Sequence, residues 1–132
     1  MGAAENKQFI SNMFAELSKG NADAFLAALA DDIRFTIIGT SKYSGTFNGK
    51  QELIAKLLAP LNAQVEGGMT ITPDNLIAEG DFVAMQAHGT ALSKNGRRYD
   101  NTYCHVFRIA NGKVQELTEY LDTELVTAAF GK

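Results

Sequence analysis

Apolar residues recur at helical spacing through the first part of the chain and alternate with polar ones through the second. Phe9, Ile10, Met13, Phe14 and Leu17 fall three and four positions apart, which predicts one amphipathic helix. Lys19-Gly20-Asn21 stops it, because Gly20 suits left-handed backbone angles. Asn21 then offers a cap for a second, short helix carrying Phe25, Leu26 and Leu29 and ending near Asp31-Asp32. Segment 33–38 is dense in β-branched and aromatic residues and predicts a strand, whereas the Gly, Ser, Thr and Asn content of 39–48 predicts a loop. Leu53, Ile54, Leu57, Leu58 and Leu61 form a third helical stripe, which Pro60 bends or ends.

The second half supplies strands at 65–78, 82–92, 99–109 and 113–122, separated by turn residues. Asn95-Gly96 favours a two-residue hairpin turn, which sets Leu92 opposite Tyr99 and His88 opposite Tyr103. Ala110-Asn111-Gly112 suits a three-residue loop with Gly112 left-handed, which sets Tyr103 opposite Glu119. His88, Tyr103 and Glu119 then form one row. A two-residue turn at the second hairpin would instead send Glu119 to the other face, so a bulge decides its side.

On this register one face carries Leu92, Asn101, His105, Phe107, Leu117 and Leu121 with that row, and the helices pack against it. The other face carries Thr102, Cys104, Val106, Arg108, Thr118 and Tyr120, a mixture suited to solvent or to a subunit interface. The expected architecture is α+β: a curved antiparallel sheet shaped into a cone, with three helices packed on its concave face. Glu119 stands out, a lone carboxylate between Leu117 and Leu121 on the apolar side. Desolvation of such a group brings it toward the range useful for proton transfer.

Composition adds bounds rather than detail. With 132 residues, 45% hydrophobic, the chain 1–132 is expected to form one domain with a real core. A net charge of −3, with acids and bases interspersed, gives no footprint for nucleic acid or an anionic membrane. Cys104 is the single cysteine, which excludes an intrachain disulfide, and no apolar N-terminal stretch or membrane span is present, so a cytoplasmic location is expected. The two histidines lack metal-ligand spacing, and nothing in the chain requires a cofactor. Gly45-Thr46-Phe47-Asn48-Gly49-Lys50-Gln51 is one residue short of a phosphate loop and lacks its Ser or Thr.

The order of three helices and a bent sheet, with Leu29-Ala30-Asp31-Asp32 early and the run from His105 through Ala110-Asn111-Gly112-Lys113-Val114 late, resembles the SnoaL-like branch of the nuclear-transport-factor-2-like superfamily. The resemblance implies a cone-shaped fold shared by ketosteroid isomerases, polyketide cyclases, limonene epoxide hydrolase, dehydratases and proteins without chemistry. It also implies a homodimer formed across the outer face of the sheet. On the ketosteroid isomerase pattern the base falls at Ile37, the oxyanion tyrosine at Met13 and the oxyanion acid at His105, which removes two of three catalytic groups and argues against that reaction. On the limonene epoxide hydrolase pattern the charged groups fall at His88, Thr90 and Glu119, of which one remains a carboxylate. On the polyketide cyclase pattern the catalytic aspartate falls at Glu119, one methylene longer.

The expected function is therefore a small-molecule pocket protein acting on a small, largely apolar substrate as an isomerase, cyclase, dehydratase or hydrolase, with Glu119 as general base. The alternative is a non-catalytic ligand-binding or protein-interaction module of the same fold. Expected catalytic residues are Glu119, His88 and His105; Tyr103, Asn101, Tyr43, Leu117 and Leu121 are expected to line the pocket. Each has a structural reading beside the functional one. Glu119 can simply hydrogen-bond Tyr103 or His88, His105 can bond Gln86 or backbone, Tyr43 can be an exposed loop residue, and Asp122 is most simply the cap of a helix at 123–130.

Overall fold

The computed structural model describes residues 2–132. Helix α1, Ala3–Ser18, buries Ile10, Met13 and Phe14 on the face that the spacing defines. Gly20, at φ 85°, turns the chain, and the Asn21 side chain accepts a hydrogen bond from the Ala24 amide to cap α2, Ala22–Ala27. The second helix is shorter than its apolar pattern suggests. Leu29 opens strand β1, Leu29–Ile37, and pairs with Val114 of the last strand, whose amide donates to Ala28 O. Burial in the sheet outweighs helical spacing at that residue.

The 39–48 segment is not all loop, since Gly45–Asn48 forms a four-residue strand, β2, paired antiparallel with β1. The third helix runs through Pro60 instead of stopping. It begins as α3, Lys50–Leu53, widens into a π-helical turn at Ile54–Leu58, and continues as α4, Ala59–Ala63. A proline removes one amide from the ladder and crowds the carbonyl four residues back, here Lys56 within the wide turn, which gives the ring room. The remaining elements are β3, Val65–Glu79; β4, Phe82–Ser93; β5, Asn101–Ala110; β6, Lys113–Leu121; and α5, Thr123–Phe130.

The six strands form one curved sheet in the order β2-β1-β6-β5-β4-β3. Four of the five strand pairings are antiparallel, but β1 runs parallel to β6, so the sheet is mixed. Helices α1, α2 and the 50–63 helix cover one face, and the largest buried cluster fills the space between, from Ile10 and Phe14 on α1 to Phe107 and Leu117 on the sheet. Among the described residues no helix is long and apolar enough to cross a membrane.

Both hairpins close differently from the sequence expectation, and the differences place every side chain of the site. At β4–β5 the Ser93 amide bonds Arg97 O, leaving the three-residue loop Lys94-Asn95-Gly96 with Gly96 at φ 85°. The ladder is thereby moved by one residue: Ala87, not His88, faces Tyr103. At β5–β6 Asn111 and Gly112 both take positive φ, 54° and 71°, which makes the two-residue turn. A bulge then follows, because Ile109 pairs with Val114 but Arg108 pairs with Glu116, so Gln115 is skipped. Without that extra residue the inward direction of Val114 would alternate to put Glu119 outside. With it, Leu117 and Glu119 return to the covered face.

Candidate functional site

A cavity of about 360 Å³ opens between the sheet and the helices. Its walls are mostly apolar: Phe14, Leu17, Phe25 and Leu26 from the first two helices, Phe35 and Ile37 from β1, and Leu117 and Leu121 from β6. The π-helical turn contributes Ile54, Leu57 and Leu58, so the widened backbone faces the cavity directly. Few polar groups reach it, namely Ser41, Tyr43, Asn62, Tyr99, Tyr103, His105 and Glu119.

The row that reaches the cavity runs Met85, His105, Glu119, Ile37 across four strands. His105 Nε2 lies 3.0 Å from Glu119 Oε1, with the imidazole 3% exposed and the carboxylate side chain 14% exposed. His105 is the only hydrogen-bond partner of that carboxylate among the described residues, and its own Nδ1 is buried without a partner. The ring is held by stacking on Tyr103 at 5.3 Å and on Phe107 at 6.0 Å, both on the same face of β5, with Phe14 of α1 at 6.0 Å. The arrangement engages Oε1 of Glu119 with His105 and leaves Oε2 without a partner among the described residues.

Tyr103 is buried and lines the cavity. Burial pushes its phenol well above the usual tyrosine range, with the neighbouring Tyr99 and the Glu119 charge acting in the same direction. Tyr99 is also raised, chiefly by burial. Both phenols thus remain protonated donors. Gly89 on β4 makes the Tyr103 position possible, since a Cβ there would lie 2.8 Å from Tyr103 Cε2.

The other expected site residues fall as follows. His88 lies on the outer face, half exposed, with Nδ1 2.9 Å from Asp74 Oδ1, so the expected row with Tyr103 and Glu119 does not form. Leu92 also points outward, and Gln86, bonded to Asn75, is not available to His105. Asn101 is buried but braces structure: its amide donates to Tyr99 Oη and Asp122 O, and its Oδ1 accepts from the Thr102 and Asp122 amides. Tyr43 lines the cavity from the β1–β2 loop and packs edge-on against Phe130 at 5.4 Å. Leu117 and Leu121 form its floor. Asp122 caps α5 through the Glu124 and Leu125 amides. Tyr99, Ser41 and Asn62 were not expected. Tyr99 had a legible signal, since it lies four residues before Tyr103 on an alternating strand. Asn62, at a helix end, had none. Among the described residues no group of three His, Cys, Asp or Glu is placed to hold a metal.

A profile for the SnoaL-like domain matches residues 10–117. The chain belongs to the SnoaL-like family. An uncharacterised protein of Mycobacterium tuberculosis is 22% identical over 121 residues, covering 92% of each chain. A crystal structure of an NTF2-like protein of unknown function from Burkholderia pseudomallei superposes with a TM-score of 0.84 at 24% identity, covering 96% of this chain and 98% of that one. A putative SnoaL-like polyketide cyclase from Jannaschia superposes with a TM-score of 0.78 at 19% identity, covering 98% and 93%. These likenesses show the SnoaL-like, NTF2-like fold. The domain match ends two positions before Glu119, so the carboxylate is argued from geometry alone.

Proposed function

We propose that the cavity takes a small, largely apolar ligand and that Glu119 acts on it as a general base. The observation that carries the reading is the carboxylate itself, with Oε1 tied to His105 and Oε2 left without a donor among the described residues in an apolar chamber. A base needs an unblocked oxygen and a fixed orientation, and the His105 bond gives the second without taking the first. The proton removed is a C–H beside a carbonyl or an O–H of the ligand, and the protonated Tyr103 phenol is the nearest class of donor for oxygen charge that develops. His105 acts as a positioning residue. The likeness to the putative SnoaL-like polyketide cyclase from Jannaschia agrees with this reading, since the cyclase pattern resembled here places its acid at Glu119. Ile37, aligned by resemblance with the ketosteroid isomerase base, pairs with Glu119 in the sheet, so the carboxylate lies one strand away from that position.

The experiment begins with native mass spectrometry of the purified protein to identify a retained ligand, followed by turnover of that compound. Glu119→Gln preserves shape and removes the base, so turnover should fall by about 100-fold or more. Unchanged turnover in a folded variant would exclude Glu119 as proton acceptor. A binding module without turnover is the second reading, favoured by the absence of a second carboxylate among the residues lining the cavity. In that case the retained compound is recovered unaltered.

The outer sheet face is proposed as the contact of a homodimer, supported by Phe82 at 50% and Tyr120 at 46% exposure beside a groove lined by Arg34, Val106, Arg108 and Glu116. The free thiol of Cys104 on that face fits a reducing, cytoplasmic location.

A further inference from the structure

The charges around the cavity are unequal in a way that selects ligands. Among the described residues no Lys or Arg lines it, so an anionic ligand would meet apolar walls, a carboxylate and no lysine or arginine. His105 engages one oxygen of Glu119, at 3.0 Å, and the other oxygen has no partner among the described residues. A half-buried negative charge with one free oxygen is thus left facing a chamber walled by the rings of Phe14, Phe35, Tyr43, Tyr99 and Tyr103.

We propose that the ligand of this cavity is a lipophilic amine, bound as its ammonium, with Glu119 as counter-ion and the aromatic walls around the charge. An ammonium N–H donates to the free carboxylate oxygen in a charge-assisted bond, stronger than one from a neutral alcohol. Ring faces add attraction for a desolvated cation that they do not offer a neutral group. A cation also offsets the cost of holding the carboxylate away from water, which a neutral ligand does not. This inference rests on the reading of the cavity as a small-molecule site, and it does not require turnover.

Three probes of matched shape test it: phenylpropylamine, phenylpropanol and phenylpropionate, titrated at neutral pH while amide and methyl shifts of Leu117, Leu121 and Val126 are followed by NMR. The amine should bind at least about tenfold more tightly than the alcohol, the carboxylate should bind weakest, and Glu119→Gln should bring amine and alcohol together. Glu116→Gln, on the outer face and paired with Arg108, should leave the ranking unchanged. An alcohol that shifts the cavity signals and binds as well as the amine overturns the proposal and leaves the cavity reading standing. A preference that survives in Glu119→Gln, or follows Glu116 instead, also overturns it. If no probe moves the cavity signals, the small-molecule reading falls and the proposal with it.

Discussion

The polar residues of the cavity are held by one another and by the strand residues beside them. His105 is aimed by its rings and its bond to Glu119, and Tyr99 by the amide of Asn101. For the two tyrosines this burial has a measurable consequence. Their phenols are raised in the folded chain, chiefly by burial, while an unfolded chain ionises near the ordinary value of about 10. A raised folded value stabilises the native state fully below the unfolded value, and the contribution is lost as pH climbs from there toward the folded one. The urea midpoint should therefore fall with rising pH above about 10, and Tyr103→Phe should flatten that fall. An equal slope in the variant would show that Tyr103 ionises freely while folded.

At the scale of strands and turns, the site depends on where residues are skipped. Gly96 closes a three-residue loop and moves the β4 ladder by one, which sends His88 to solvent and brings Met85 beside His105. The Gln115 bulge then returns Glu119 to the covered face. Strand β4 also supports its neighbour by what it lacks. Adding a methyl at Gly89 forces it against Tyr103, so Gly89→Ala should cost about 1–3 kcal/mol by urea denaturation and displace the Tyr103 ring signals. Wild-type stability with unmoved Tyr103 resonances would mean that the ring has room to shift. The π-helical turn matters in the same way, letting a helix pass Pro60 while three of its side chains face the cavity.

At the scale of the whole molecule, one face of the sheet is sealed by helices and the other is open. Phe82 and Tyr120 leave apolar area exposed there, bordered by the Arg108–Glu116 ion pair, a combination suited to a self-complementary contact. Sedimentation should show a dimer, and Phe82→Lys should shift it toward monomer without loss of helix signal. A wild-type monomer at high concentration would end that proposal.

The helices and the four long strands were legible in the sequence because they rest on periodicity and local turn chemistry, which are properties of neighbouring residues, and the superfamily was legible through its resemblance at 29–32 and 105–114. Glu119 was legible for the same reason, as an acid out of place between Leu117 and Leu121. Its partner was not. Asn95-Gly96 and Asn111-Gly112 carry the same pair of residues, yet one closes a three-residue loop and the other a two-residue turn followed by a bulge. A one-residue change of register exchanges the two faces of a strand, and nothing local forbids either choice. The tertiary structure decides it by burial: Val83, Met85 and Ala87 of β4 go under the helices beside Tyr103, His105 and Phe107, which leaves His88 in solvent, and the bulge at Gln115 seats Glu119 against His105.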